Sequence, residues 1–211
     1  MDAIFFDLDG TLTDPKPGIT RSIQYALQKL DHPAIPTEDE LTWCIGPPLR
    51  ASFATMLGDH VADQAVVLYR ERFSDVGLYE NGVYDGIGPV LTTLCTAGHR
   101  LFVATSKPHV FAERIIDHFG LRDHFERVFG SELDGTRVDK SHLLEYALQE
   151  VSVDPSKTVM IGDRSHDMVG ARNNGMQRIG VLYGYGSRDE LLQAGAQHVC
   201  VTPGEILRCI A

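Results

Sequence analysis

The chain has 211 residues, 43% of them hydrophobic and 23% charged, with 20 glycines and 10 prolines. That composition supports one sizeable core and excludes disordered, collagen-like and mini-protein classes. Nineteen Lys and Arg against 29 Asp and Glu leave a net charge of −10, a field that opposes nucleic acid polymers and anionic membranes.

From the first residues onward, short apolar runs alternate with stretches of helical period. The runs are Ala3–Phe6, Leu101–Ala104, Val128–Phe129, Thr158–Ile161 and Arg178–Leu182, with Val199–Val201 a candidate sixth. Each is too short for a helix and reads as a buried parallel strand. Between them Gly86–Ala97, Val110–Phe119, Lys140–Val151, Asp167–Asn174 and Arg188–Ala194 repeat their apolar residues three or four apart. Strand and helix in regular alternation predict a doubly wound, Rossmann-like α/β parallel sheet, with a ligand crevice at the carboxyl ends of the strands.

One stretch breaks the alternation. After Thr13 no strand is expected until Leu101, and Ile19–Leu30 and Val61–Phe73 carry helical stripes instead. Residues 1–13 and 82–211 are therefore read as the α/β core, and 14–81 as a small helical cap inserted after the first strand. Trp43, the single tryptophan, is expected in the core of that insertion. Cys44, Cys95, Cys200 and Cys209 are widely spaced and form no C-x-x-C pair, so reduced and mostly buried thiols are expected. No charged leader runs into an apolar stretch and no apolar run is long enough to cross a bilayer, so a cytoplasmic protein is expected.

The sharpest chemical signal is Asp7-Leu8-Asp9-Gly10-Thr11-Leu12-Thr13, directly after the first strand. Two carboxylates two apart share one side of an extended segment and need a cation or a shared proton. A second acidic strand end, Gly162-Asp163-Arg164-Ser165-His166-Asp167, follows Val159–Ile161. Neither is an EF-hand calcium loop, since Leu12 and Met168 stand where that loop needs glycine, and Gly18 and Asn174 where it needs glutamate. Hard oxygen ligands from two strand ends point to Mg²⁺. A third strand end carries Thr105-Ser106-Lys107, whose hydroxyls suit phosphate oxygens, and Lys140 at a helix start adds a positive charge. Lys107 is a second possible counter-charge. Of nine histidines only His166 falls in such a cluster.

This set resembles the haloacid dehalogenase superfamily of phosphohydrolases: Asp7-x-Asp9-Gly10-Thr11-Leu12-Thr13 matches its first motif, Thr105 the second, Lys140 the third, and Gly162-Asp163-x-x-x-Asp167 the fourth. The resemblance covers nearly the whole chain, including the helical cap. It implies an aspartyl-phosphate mechanism with Asp7 as nucleophile and Asp9 as general acid and base. It further implies Thr105, Ser106 and Lys140 as phosphate-binding residues, and Mg²⁺ held through Asp7, the Asp9 carbonyl and Asp163, with Asp167 behind them. The stretches Gly46–Leu49 and Leu182–Gly186 are similar to those of members described as nucleoside 5′-monophosphatases or phosphoglycolate-phosphatase-like. A small phosphorylated metabolite is then the expected partner, a nucleoside 5′-monophosphate ahead of phosphoglycolate, with Arg50 a candidate for the substrate anion. A phosphomutase of the same superfamily and a phosphoaspartate signalling module are the rival readings. A monomer or homodimer is expected.

Overall fold

The computed structural model describes residues 1–210. The chain divides into two compact units, one of residues 1–14 and 83–210 and the other of 15–82.

The first unit is built on a six-stranded parallel sheet. Its strands are β1 (Ala3–Phe6), β4 (Arg100–Pro108), β5 (Arg127–Ser131), β6 (Thr158–Gly162), β7 (Gln177–Val181) and β8 (His198–Cys200). The two-residue strands β2 (Thr13–Asp14) and β3 (Gly82–Val83) stand where the chain leaves and rejoins this unit. The helices of the unit are α4 (Ile87–Thr96), α5 (His109–His118), α6 (Lys140–Val151), α7 (Ser165–Asn173), α8 (Arg188–Ala194) and α9 (Ile206–Ile210). Strand order is β5-β4-β1-β6-β7-β8. The chain runs outward from β1 to β5, then returns to the other side of β1 and runs outward again, so the order reverses at the carboxyl ends of β1 and β6. That reversal opens a crevice where the strands end.

Burial on both sides explains why the strands read as near-continuous apolar runs. Phe5 aligns with Phe102 on one neighbour and with Met160 on the other. These side chains, with Ala3, Ala104 and Phe129, pack against Leu143, Leu144, Ala147 and Leu148 of α6 and Ala171 of α7. The rings of Phe5 and Phe102 stack at 4.9 Å. A fully buried side chain of this size contributes roughly 1.5–3 kcal/mol. The alternate residues Ile4, Phe6, Val103 and Ile161 are equally shut off from water, which holds β1 rigid up to Asp7.

The second unit is helical, with α1 (Lys16–Lys29), α2 (Leu49–Leu57) and α3 (Asp59–Arg72), followed by a π-turn at Phe73–Gly77. Pro15 and Pro17 open α1, where a missing N–H costs nothing. Ile19, Ile23, Ala26 and Leu27 form its buried stripe. A Cβ on Gly18 would lie 1.9 Å from the Gly77 carbonyl oxygen, so α1 and the π-turn approach at backbone distance. Trp43 does not join this core. It remains 43% exposed because Leu41, Cys44 and Ile45 take the buried positions of its short turn. The four cysteines are free thiols, but only Cys44 and Cys200 are buried. Among the described residues no helix is long and apolar enough to cross a membrane.

Candidate active site

The geometry begins at Asp7. Its N–H donates to the Ile161 carbonyl at 2.9 Å, carrying the β1–β6 ladder one residue past the strand. The chain then folds over itself, with the Leu8 carbonyl accepting from the N–H groups of Thr11, Leu12 and Thr13. Gly10 makes this turn at φ +82°, and a Cβ there would meet Asp163 Oδ2 at 2.2 Å. Glycine is thus required twice over, by the backbone angle and by the carboxylate of the neighbouring strand end.

Lys140 enters from the start of α6, a helix capped by the Asp139 carboxylate accepting from the N–H groups of Ser141 and His142. Its Nζ lies 3.0 Å from Asp7 Oδ1 and donates to the Ala104 carbonyl at 2.8 Å. It also stands 2.8 Å from Asp167 Oδ1. Burial alone would lower the Lys140 pKa, but the charges of Asp167 and Asp7 hold it above the ordinary lysine value, so the amine stays charged. Burial pushes Asp7 up to about 7; Lys140 opposes this shift and Asp167 adds to it. Burial would raise the Asp167 pKa, but Lys140, with His166 and the Arg164 N–H, holds it below the usual carboxylate range.

Asp163 is fully buried. Its Oδ2 accepts from the Tyr185 N–H at 2.7 Å, while Oδ1 is shut from water with no hydrogen-bond partner. Burial raises its pKa well above the ordinary value, and the charges of Asp167 and Asp7 raise it further. A buried acid with a bare oxygen beside other acids is the surrounding a hard divalent cation relieves, so these residues fit one. Ligand atoms of Asp7, His166 and Asp167 also lie within 4.8 Å of one another. Lys140 already stands against the oxygens it reaches on Asp7 and Asp167, and an imidazole nitrogen such as that of His166 suits a hard divalent cation less well than a carboxylate oxygen. The bare oxygen of Asp163 therefore marks the better cation position.

Asp9 is 8% exposed. Its Oδ2 is 2.7 Å from Lys107 Nζ, and its Oδ1 is buried without a hydrogen-bond partner. Thr105 is buried, and its Oγ1 accepts from the Lys107 N–H at 3.2 Å. An irregularity in the β4–β5 pairing between Thr105 and Pro108 produces this local turn.

Two sequence expectations meet a different arrangement. The Ser106 hydroxyl donates to the Val138 carbonyl at 3.1 Å, and the Ser106 carbonyl accepts from Ser131 Oγ, so its proton already serves to hold the loop before α6. Arg50 lies in the helical unit, where Nε donates to Asp63 at 2.8 Å and Nη1 to Asp59 at 3.2 Å. Its charge is offset by carboxylates of its own unit. Lys107 was only a possible counter-charge in the sequence, yet it is the cation on Asp9. The hold of Tyr185 on Asp163 has no sequence signal of its own, since every residue but proline offers an N–H.

Residues 4–181 match the family model of haloacid dehalogenase-like hydrolases. The chain belongs to that family. A 5′-nucleotidase of Pseudomonas aeruginosa is 50% identical over 201 residues, covering 93% of this chain and 90% of that protein. Tyrosine-protein kinase PtkA of Mycobacterium tuberculosis is 44% identical over 186 residues, which cover 88% of this chain but 64% of the longer kinase. The crystal structure of a predicted phosphatase from Clostridium acetobutylicum superposes with a TM-score of 0.95 at 40% identity, covering 99% of this chain and 97% of that one. As a haloacid dehalogenase-like hydrolase, the protein is a phosphatase acting on phosphoric monoesters.

Proposed function

We propose that the protein hydrolyses nucleoside 5′-monophosphates through an aspartyl-phosphate on Asp7. The observation that carries the chemistry is the clamp on Asp7, whose Oδ1 is fixed by Lys140 Nζ at 3.0 Å. That leaves Oδ2 to form the new bond. Asp9, ionised against Lys107 in the resting site, takes up a proton from solvent as the substrate enters; as Asp7 bonds to phosphorus, the phosphorus–oxygen ester bond breaks and Asp9 gives that proton to the departing nucleoside oxygen. Asp9, now a carboxylate, takes a proton from water. The resulting hydroxide attacks phosphorus, the Asp7–phosphorus bond breaks, and inorganic phosphate leaves.

Lys140 and the Thr105 hydroxyl stabilise the transferring oxygens, an electrostatic contribution that is large in a site closed to water. Lys107 keeps Asp9 in place through the salt bridge at 2.7 Å. Asp163, the Asp9 carbonyl and the second lone pair of Asp7 Oδ1 would hold Mg²⁺, with Asp167 fixing Lys140 beside them. The bound cation supplies the charge that lets an anionic nucleophile and an anionic phosphate approach.

The nucleotide preference rests on the 50% identity to the Pseudomonas nucleotidase. The strand-end groups address only the phosphoryl group that all candidates share, so recognition of the nucleoside falls to residues other than these. The test is phosphate release with Mg²⁺ from UMP, IMP and phosphoglycolate, in wild type and Arg50→Ala. A higher kcat/KM for the nucleotides, little altered by Arg50→Ala, is expected. A preference for phosphoglycolate that Arg50→Ala abolishes would overturn the substrate class. Transfer of the phosphoryl group to an added hydroxyl acceptor, with no phosphate released, would overturn hydrolysis itself.

A further inference from the structure

Three consecutive residues wrap Asp163, and the middle one is held at both ends. Gly184 approaches so closely that a Cβ would lie 2.2 Å from the Gly10 carbonyl oxygen and 2.5 Å from Asp163 Oδ2. Gly186 is tighter, its hypothetical Cβ being 1.8 Å from the Asp163 carbonyl oxygen. Between them the Tyr185 N–H donates to Asp163 Oδ2 at 2.7 Å, while the Tyr185 hydroxyl donates to Asp14 Oδ1. Asp14 ends the same segment that carries Asp7 and Asp9. The Tyr84 ring meets Tyr183 edge-on at 5.0 Å. A phenol at one end and an amide at the other thus tie the first acidic segment to the second.

The consequence falls on the free oxygen of Asp163. A carboxylate is planar, so fixing Oδ2 on an N–H whose own position is set by the phenol also sets the direction of Oδ1. That oxygen is buried and without a hydrogen-bond partner.

We propose that Tyr185 is a positioning residue, whose hydroxyl bond to Asp14 holds its backbone N–H on Asp163 and so aims the unpartnered Asp163 oxygen at the divalent cation. The proposal rests on the cation reading given under the proposed function. This role needs no contact of Tyr185 with phosphate or cation. Its hydroxyl acts through Asp14 and its amide through Asp163, and groups that orient metal ligands in this way typically govern affinity about 10- to 100-fold.

The experiment is calorimetric titration with Mg²⁺, paired with the rise in melting temperature that Mg²⁺ produces, on wild type, Tyr185→Phe, Asp14→Ala, Asp14→Asn and the Tyr185→Phe/Asp14→Ala double variant. Tyr185→Phe and Asp14→Ala should each bind Mg²⁺ about 10-fold more weakly, and the double variant no more weakly than either. Asp14→Asn keeps an acceptor for the phenol and should recover most of the affinity, which a merely bulky or structural role would not explain. Melting temperatures without Mg²⁺ show whether each variant folds. If wild type binds Mg²⁺ and Tyr185→Phe binds it equally well, or if the two losses add, the positioning role is overturned and the cation reading stands. If wild type binds none, both fall.

Discussion

Lys107 Nζ stands 2.7 Å from Asp9 Oδ2, and both side chains are nearly closed to water. Removing one partner of such a pair strands the other as a buried charge. Lys107→Met should therefore destabilise the protein by about 3 kcal/mol or more in urea unfolding, whereas adding Asp9→Asn to it should recover much of the loss. Asp9→Asn alone should lower kcat by about 10²–10⁴-fold if it is the general acid and base. A Lys107→Met variant as stable as wild type would show that the pair is not formed in solution.

Asp7→Asn should abolish turnover, because a neutral amide cannot attack phosphorus. It should also change how stability depends on pH in metal-free protein. Asp7 is raised from 3.8 to about 7 on folding. Between those values the folded protein keeps a proton that the unfolded chain has shed, so stability falls as pH rises through this window. Asp7→Asn removes that contribution and should melt higher than wild type at pH 8 with EDTA present. Melting curves of both proteins from pH 4 to pH 8 test the sign, and an identical slope in the two would refute the account of Asp7.

Lys140→Met leaves Asp7 and Asp167 facing one another without the cation between them. A loss of about 3–5 kcal/mol is expected at pH 8, shrinking as the pH falls and the acids take up protons. Urea midpoints at pH 8 and pH 5 measure the difference.

Much of this was legible in the chain. Runs such as Ala3–Phe6 and Thr158–Ile161 announce buried strands, and the carboxylates after them occupy the ends of adjacent strands as that reading requires. What was not legible depends on local backbone detail. Ser106 and Lys107 follow one another at one strand end. Only the irregular pairing of β4 with β5 accompanies the split in which the lysine reaches Asp9 and the serine hydroxyl turns to Val138. The partners of Arg50 lie 9 and 13 residues onward, across the turn between α2 and α3, a separation set by the helix-to-helix angle. Helix α2 itself carries only two fully buried residues, Ser52 and Phe53, too few to leave a stripe.

Gly186→Ala tests the close wrapping of Asp163, since its Cβ would sit 1.8 Å from the Asp163 carbonyl oxygen. The loop must retreat, taking the Tyr185 amide with it. Activity at limiting Mg²⁺ should drop far below wild type while circular dichroism stays native. Gly204→Ala, with nothing within 4 Å of the added carbon, should be neutral in both measurements. Equal behaviour of the two variants would mean that the loop has slack the geometry does not show.

Asp7, the proposed nucleophile, directly follows the central strand β1, and the strands beside β1 are distant in the chain. β1 pairs on one side with residues near 100 and on the other with residues near 160. On a ribosome adding roughly 5–20 residues per second, Asp7 would emerge roughly 8–30 s before Asp163. Throughout that interval the first strand has no partner on its β6 side and Asp7 lacks its neighbour Asp163. Pairings of such long range also slow folding after release. A nascent chain halted before β6 would thus carry Asp7 without the groups that complete its surroundings, and phosphatase activity in synthesis-arrest experiments should appear only once Asp163, Asp167 and the Gly184–Gly186 loop have cleared the exit tunnel.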